Sequence, residues 1–412
     1  MTSAKRLAVL ATVVAISVVA AATQYASADP PPGRGWRRVP TTTTTSAPAT
    51  TATSAPATTM TPTATSAPVT ATVVPTATAT TAASSNTEPV PGAISSDCAI
   101  DVTSSIRSWV ASVPDGSTLS FGPGRCYRIE GVLELRNRKG LTFEGNGSTF
   151  RSLNPPQDQR AIWRVIDSDA MTFRNMTIDG SYGSGGTFNA ALQHAHAIDL
   201  RGTAAEVANV VMTDVAGDCV NFGLGYSSAL RRSSGTVHDS SCSRNGRNAV
   251  TVTAGNDIRV ERVTTNAIGF NTFIIEPNVG AGWGSQRVSF TNNTIGSYRY
   301  NAFAIVENAP ITDQVFSNNR TVADKGLRVA VEARSSGARA RNVTINGNSS
   351  VNATWPAAMN FQDVDGLTVT GNTVPLSGGP FAAVEASCTV KVSGNSYPGG
   401  TSEVAIISTR SC

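Results

Sequence analysis

Aromatic residues make up only 6% of the 412 positions and charged residues only 15%, while glycine occurs 36 times. So few rings, with Val, Ile and Thr recurring throughout, exclude a helical bundle and point to short strands. The formal net charge of +4 is small and its basic residues are scattered, which excludes a nucleic-acid footprint. Only three histidines occur and no Cys-x-x-Cys spacing is present, so no metal site is expected. No cofactor is indicated, with Ca²⁺ beside an acidic flank left open. Signatures of the G-x-S-x-G, H-E-x-x-H, P-loop and dinucleotide-binding kinds are also missing. Any site must therefore be assembled from residues distant in sequence.

The first segment has a different character. Lys5 and Arg6 precede an apolar run from Leu7 to Ala22, and Ala26-Ser27-Ala28 forms a small-residue cleavage site. Residues 1–28 read as a signal peptide, with an uncleaved anchor as the alternative. No later stretch is apolar enough to cross a bilayer, so no stable membrane insertion is expected after cleavage, and the chain is expected to be secreted and extracellular. Residues 29–92 are dominated by Thr, Ala, Ser and Pro, with too little large apolar surface to offset the entropy of ordering. They read as a disordered linker or stalk. Residues 93–412 are the expected folded domain, a monomer.

Within that domain a short pattern returns: apolar, any, apolar, any, Asn or Gly, Asn. It reads LTFEGN at Leu141, VSFTNN at Val288, VTINGN at Val343, LTVTGN at Leu367 and VKVSGN at Val390, with weaker copies near Val207, Val237 and Ile258. The last positions run Asn146, Met176, Thr213, Ser240, Val263, Asn293, Asn319, Asn348, Asn372 and Asn395, 23 to 37 residues apart. That is the period of one coil of a parallel β-helix. A second column, of eight strands from HAIDLR at His196 to AAVEA at Ala382, keeps step with it. Its alternate residues, such as Val220 and Phe222, must point inward, leaving Asn221 outward. The fold expected is an all-β, single-stranded right-handed parallel β-helix solenoid. Residues 98–112, with Ile106, Trp109 and Val110 at helical spacing, form its short N-terminal capping helix.

Six cysteines, at 98, 126, 219, 242, 388 and 412, favour disulfides in an exported chain. Fifteen pairings are open to six cysteines. The neighbouring arrangement, Cys98–Cys126, Cys219–Cys242 and Cys388–Cys412, is expected, with the outer two stapling the first and last coils. The Asn column has a structural reading: stacked side chains hydrogen-bonding along the solenoid at turns that favour left-handed backbone.

Outward residues of successive coils, about 4.8 Å apart, assemble the densest ionisable set. Before the strands lie His196, Asp218, Asn248, Asn271 and Asn301; one position earlier lie Ala195, Gly217, Arg247, Phe270 and Tyr300. With Asp199 and Glu276 outward on the strands, four coils gather His196, Asp199, Asp218, Arg247 and Glu276 on one flank. His194 follows a Gly-rich loop, SYGSGGTFNAAL, that reads as a lid. Trp283 on GAGWGSQ offers an indole for sugar stacking. On a straight strand Glu276 lies on the order of 16 Å along from Asp218.

These segments carry a resemblance. AGDCVNFG from Ala216 resembles the G-D-D-C-V segment of polygalacturonases and related β-helix glycoside hydrolases, with Gly217 replacing the first Asp and Asp218 matching the second. In that family the Cys after the aspartates pairs one coil later, which implies Cys219–Cys242. CSRNGRNAV resembles their C-S-G-G-H-G, with Gly246 where the His belongs. AHAIDL resembles N-T-D-x-F-D, with His196 replacing the first Asp and Asp199 matching the second. NTFIIE falls where R-I-K is expected, giving Ile274 and Glu276 instead of two cations. The changes argue against an ordinary polygalacturonase, and GDC…NGRNAV…IIEPN looks more like actinobacterial right-handed β-helix repeat proteins.

The expected function is a polysaccharide-active protein, a glycoside hydrolase or lyase acting on an extracellular, possibly uronate-containing glycan. Asp218 would be the acid, its pKa raised by Asp199; Asp199 or Glu276 would activate water or stabilise charge, and His196 would pair with Asp218. Arg247, His194, Asn221, Asn248 and Trp283 would bind substrate. The alternative is a non-catalytic glycan-binding or surface-adhesion module. For Asp218 the plain reading is a turn cap like Asn248, and for Arg247 a structural ion pair.

Overall fold

The computed structural model describes residues 86–227, 229–333, 339–354, 358–409 and 411–412. The expected leader and most of the expected linker lie outside them. Within the stretch expected as linker, Thr87–Pro89 is a strand paired in parallel with Thr118–Ser120, so these residues belong to the fold.

Two sheets, of nineteen and eleven strands among the described residues, wind together along the chain, and their registered pairs are parallel. The shorter one, called the flank sheet below, takes one strand from each coil. Its register Arg164–Asp199–Asn221–Thr251–Ile274–Ala304 follows the expected second column. It is longer than expected, because Leu133–Arg136, Trp163–Ile166 and Ser402–Ile406 add strands at both ends. Inward residues fill the solenoid. Val220, Phe222, Val250, Val252, Phe273 and Ile275 are buried, and core rings stack coil on coil, as Phe143 on Phe173 at 4.8 Å. The fold is a right-handed parallel β-helix.

The Asn column is a hydrogen-bonded ladder. Asn293, Asn319, Asn348 and Asn372 are 0–1% exposed. Each Oδ1 from Asn319 to Asn395 accepts the backbone N–H and the amide of the Asn one coil earlier, at 2.9–3.0 Å. Each amide also donates to a carbonyl of an adjacent coil, as Asn319 Nδ2 to Phe290 O at 3.0 Å. A buried polar side chain is tolerated only when satisfied in this way. Left-handed backbone falls on the residue before the column, at Asn292, Asn318 and Gly347. Two members differ from expectation: Val210, not Thr213, pairs with Met176, and a register shift puts Ser148, not Asn146, on that rung. The segment ending at Thr213 has no Asn at that position, and the one at Leu141 carries three residues, 145–147, where its partner strand carries one.

The helix Thr103–Ser112 buries Ile106, Trp109 and Val110, with Trp109 edge-on to Phe121 at 5.2 Å. Three disulfides join Cys98–Cys126, Cys219–Cys242 and Cys388–Cys412.

Candidate functional site

Where the chain turns into each flank strand, one side chain per coil accepts a backbone N–H from the next. His196 Nδ1 accepts from Asp218 N at 3.1 Å, Asp218 Oδ1 from Asn248 N at 3.0 Å, and Asn248 Oδ1 from Asn271 N at 3.1 Å. Asn271 Oδ1 then accepts the Asn301 amide at 3.0 Å. His196 and Asp218 thus perform the structural task of the asparagines below them. Because His196 Nδ1 is an acceptor, its 3.4 Å approach to Asp218 Oδ2 is not an ion pair. Burial pushes the His196 pKa down, outweighing the pull of the Asp218 and Asp199 carboxylates.

The remaining valences of the carboxylates are also taken. Asp218 Oδ2 receives Arg247 Nη1 at 2.8 Å, and the other terminal nitrogen of Arg247 meets Glu276. Glu276 is therefore separated from Asp218 by a single guanidinium, and the straight-strand separation expected from sequence is corrected. A long side chain starting before one strand reaches a carboxylate at the end of the next. Burial opposes the Arg247 charge, but Asp218 and Glu276 overcome it and raise its pKa. Asp199 is held by Arg164 and Arg201, each at 2.9 Å, and by Asn221 Nδ2 at 2.9 Å. Burial raises its pKa, yet His196, Arg201, Asn221 and Arg164 together hold it below the ordinary carboxylate range.

Asp199 and Asp218 are 0% exposed and His196 3%. Arg247 and Glu276 keep 12% and 19% of their side-chain surface, so the network meets solvent through them. The cavity beside His196, lined by Ser152, Arg160, Ala195 and Ala216, holds about 10 Å³, room for one water and not for a sugar. A wider concavity of about 550 Å³ opens elsewhere, on the long sheet, where Arg287 and Asp257 pair at 2.6 Å.

Among the other expected ligands, His194 is partly exposed and its Nδ1 lies 3.1 Å from Asp158 Oδ1. Asn221 and Asn248 are buried and bonded internally, Asn221 Nδ2 to Asp199 Oδ1 at 2.9 Å and Asn248 Nδ2 to Thr251 Oγ1 at 3.0 Å. Trp283 is not brought to the His196–Asp218 end. Its loop is fastened by Arg232, which donates to Gly282 O at 2.8 Å and Trp283 O at 2.9 Å, on the side where Leu224 follows its strand. The Gly-rich loop does not stand off as a lid: Tyr182 is buried, its hydroxyl bonds Thr187 O at 3.0 Å, and Phe188 packs on Phe270.

Sequence reasoning missed Arg164, whose strand it did not extend the column to reach, and it named Phe270 and Tyr300 as column members without using their rings. The column is real: Arg247 N donates to Gly217 O, Phe270 N to Arg247 O and Tyr300 N to Phe270 O, at 2.9–3.2 Å. It places Phe270 and Tyr300, ring centroids 4.7 Å apart and both half-buried, on the two coils beyond Arg247. Among the described residues no cluster of three or more His, Cys, Asp or Glu is arranged to hold a metal ion.

No protein-family model and no curated protein sequence matches the chain. Solved structures do. A family 28 exopolygalacturonase of Yersinia enterocolitica superposes with a TM-score of 0.55 at 10% identity, over 79% of each chain. PfbA, a surface adhesin of Streptococcus pneumoniae, superposes with a TM-score of 0.51 at 13% identity, over 76% of this chain and 92% of its own. A tailspike of E. coli bacteriophage HK620, solved with a hexasaccharide, gives 0.52 at 12% identity, over 77% of this chain and 61% of its own. At such identities the shared property is the β-helix itself.

Proposed function

We propose that this chain is an extracellular, polysaccharide-active β-helix protein whose glycan lies along the flank between His194 and Pro277 and continues over Phe270 and Tyr300. The observation that carries the reading is one surface strip on which the solvent edge of an ionic network, Arg247 with Glu276, adjoins half-buried rings on the next two coils. Rings bury apolar sugar faces while ionic groups at their edge fix hydroxyl or carboxyl orientation. Three disulfides and the leader-like first residues support an oxidising, extracellular setting. The likeness to an exopolygalacturonase, an adhesin and a hexasaccharide-bound tailspike supports a glycan as the partner.

Of the two chemistries such a flank serves, glycan retention suits the resting geometry better. Asp218 and Asp199 are sealed from solvent and ion-paired, so neither has a path to a glycosidic oxygen. Hydrolysis is the second reading, favoured by the pair of carboxylates facing each other across Arg247, since glycosidases work with two carboxylates flanking one bond. An outward swing of Arg247 would then open Asp218 and Glu276 together. The test is a screen of the protein against pectins, alginates, arabinans and cell-wall glycans. It reads binding, new reducing ends and the ultraviolet absorbance of unsaturated uronates separately. Binding with no product supports retention; product formation that Asp218→Asn abolishes supports hydrolysis or elimination; no binding to any glycan overturns the proposal.

A further inference from the structure

The column Arg247–Phe270–Tyr300 does not end at its last ring. Arg299 lies over Tyr300, its guanidinium carbon 5.1 Å from the ring centroid, a cation–π arrangement that restricts a flexible side chain. On the next coil Lys325 Nζ donates to Arg299 O at 2.7 Å, which anchors the ammonium beside the same residue. Arg328, half-buried, follows three residues later, with its N–H bonded to Tyr298 Oη at 3.1 Å. Burial first, and then the Arg328 and Arg299 guanidiniums, hold the Lys325 ammonium below its ordinary range, so both guanidiniums lie near enough to act on it.

These three cations gather without a counter-ion. Most basic side chains elsewhere on the solenoid are neutralised: Arg247 by Asp218 and Glu276, Arg262 by Asp239 and Glu261, Arg287 by Asp257. Among the described residues no carboxylate forms an ion pair with Arg299, Lys325 or Arg328. Three like charges held together without a counter-ion repel, and an anion entering between them removes that repulsion. Because Arg299 and Lys325 are already tethered, less rotamer entropy is lost on binding. A guanidinium also matches a carboxylate, sulfate or phosphate ester with two parallel hydrogen bonds.

We propose that Arg299, Lys325 and Arg328 form a subsite for an anionic substituent of the glycan, reached across the Phe270 and Tyr300 rings. The proposal rests on the reading of the flank as a glycan surface and names its chemistry: a polymer bearing carboxylate or sulfate groups, engaged two to three coils from Arg247.

Titration calorimetry with the full chain, at low and at physiological salt, tests this with polygalacturonate as the carboxylate probe, dextran sulfate as the sulfate probe and dextran as the neutral one. At least one polyanion is expected to bind about ten-fold more tightly than dextran, with an affinity that falls as salt rises. Arg299→Glu with Lys325→Glu is expected to remove that advantage and leave dextran binding unchanged, while Lys325→Arg retains it. Circular dichroism checks that each variant is folded. Equal affinity for all three polymers, or charge-reversed protein that binds the polyanion like wild type, overturns the subsite. Phe270→Ala with Tyr300→Ala is measured in parallel. If the ring pair weakens every polymer and the charge pair weakens none, the subsite falls and the flank reading stands. If the charge pair abolishes polyanion binding and the ring pair changes nothing, the anion subsite stands and the flank reading falls.

Discussion

At the scale of single residues, the two histidines with resolved shifts respond to pH in opposite directions and in separate windows. His196 is buried as the neutral ring, its pKa below the ordinary 6.5. Below about pH 6.5 the unfolded chain binds a proton there that the folded chain refuses, so stability falls as the pH drops. His238 is different: burial lowers its pKa, but hydrogen bonds to Asp239 and Glu206 prevail and raise it above 6.5. Its stabilisation is complete below 6.5 and is lost as the pH rises through the folded pKa, so it contributes no slope on the acid side. Asp199, depressed below 3.8, stabilises above that value and is lost only at lower pH, as the pH falls through its folded pKa. Between pH 6.5 and 5, urea unfolding is therefore expected to show stability falling by at most about 1.4 kcal/mol per pH unit from His196. His196→Asn keeps an acceptor for Asp218 N–H and should flatten that window; an unchanged slope would remove His196 as its source.

Asp199 itself offers a second residue-level test. Arg164 and Arg201 both converge on its Oδ2, and the Asp199 side chain itself is sealed from solvent. Asp199→Asn preserves shape but leaves two guanidiniums facing an uncharged amide, and breaking a buried pair from one side costs about 3–5 kcal/mol. A change in the urea midpoint equivalent to less than about 1 kcal/mol would show that water reaches these cations.

At the scale of elements, the ladders explain both what was legible beforehand and what was not. Alternation fixes which face of a strand is buried, so Val220, Phe222, Phe273 and Ile275 were assigned inward from spacing alone, and the structure places them there. The Asn ending each Asn-Asn or Gly-Asn pair marked the register of the later coils, because its side chain accepts from one coil and donates to another. Where that marker is absent, as around Val207, a run of β-branched residues fits several registers and the rung was misplaced by three. The site was less legible because spacing locates backbones, whereas Arg247 joins Asp218 to Glu276 through the length of its side chain. Asn319 tests the ladder directly. Asn319→Ala removes the acceptor of the Asn293 N–H and amide and the donor to Phe290 O, and each buried group left unsatisfied costs about 1–3 kcal/mol. A loss of about 3 kcal/mol is expected by urea unfolding, with Asn319→Asp intermediate because it still accepts. No loss in either would mean the ladder is solvated.

For the molecule as a whole, a solenoid in which each coil touches only its neighbours has a stability that sums locally, and its ends are the weakest places. The disulfides are distributed accordingly. Cys98–Cys126 and Cys388–Cys412 lie at the first and last coils, and Cys219–Cys242 lies in the middle, next to Asp218. The last coil needs its tie most: Val390, Val392 and Val404 are only partly buried, and Ile406 and Ile407 are each 59% exposed. Replacing Cys388 and Cys412 by Ser removes a closed loop of comparable length to the others, a change worth about 2–4 kcal/mol in the unfolded chain. Its effect on the native state should nevertheless be local, because few coils depend on that terminus. Hydrogen exchange is therefore expected to rise in Pro380–Glu385 and Ser402–Ile406, while amides of the Asn293–Asn348 ladder stay protected. The same replacement at Cys219 and Cys242 should raise exchange on both sides of the flank, from Ile198–Arg201 to Phe273–Ile275, because those strands stack directly on the coils it joins. Equal, chain-wide deprotection from either replacement would show that the solenoid opens as one cooperative unit, and the local reading of its ends would fail.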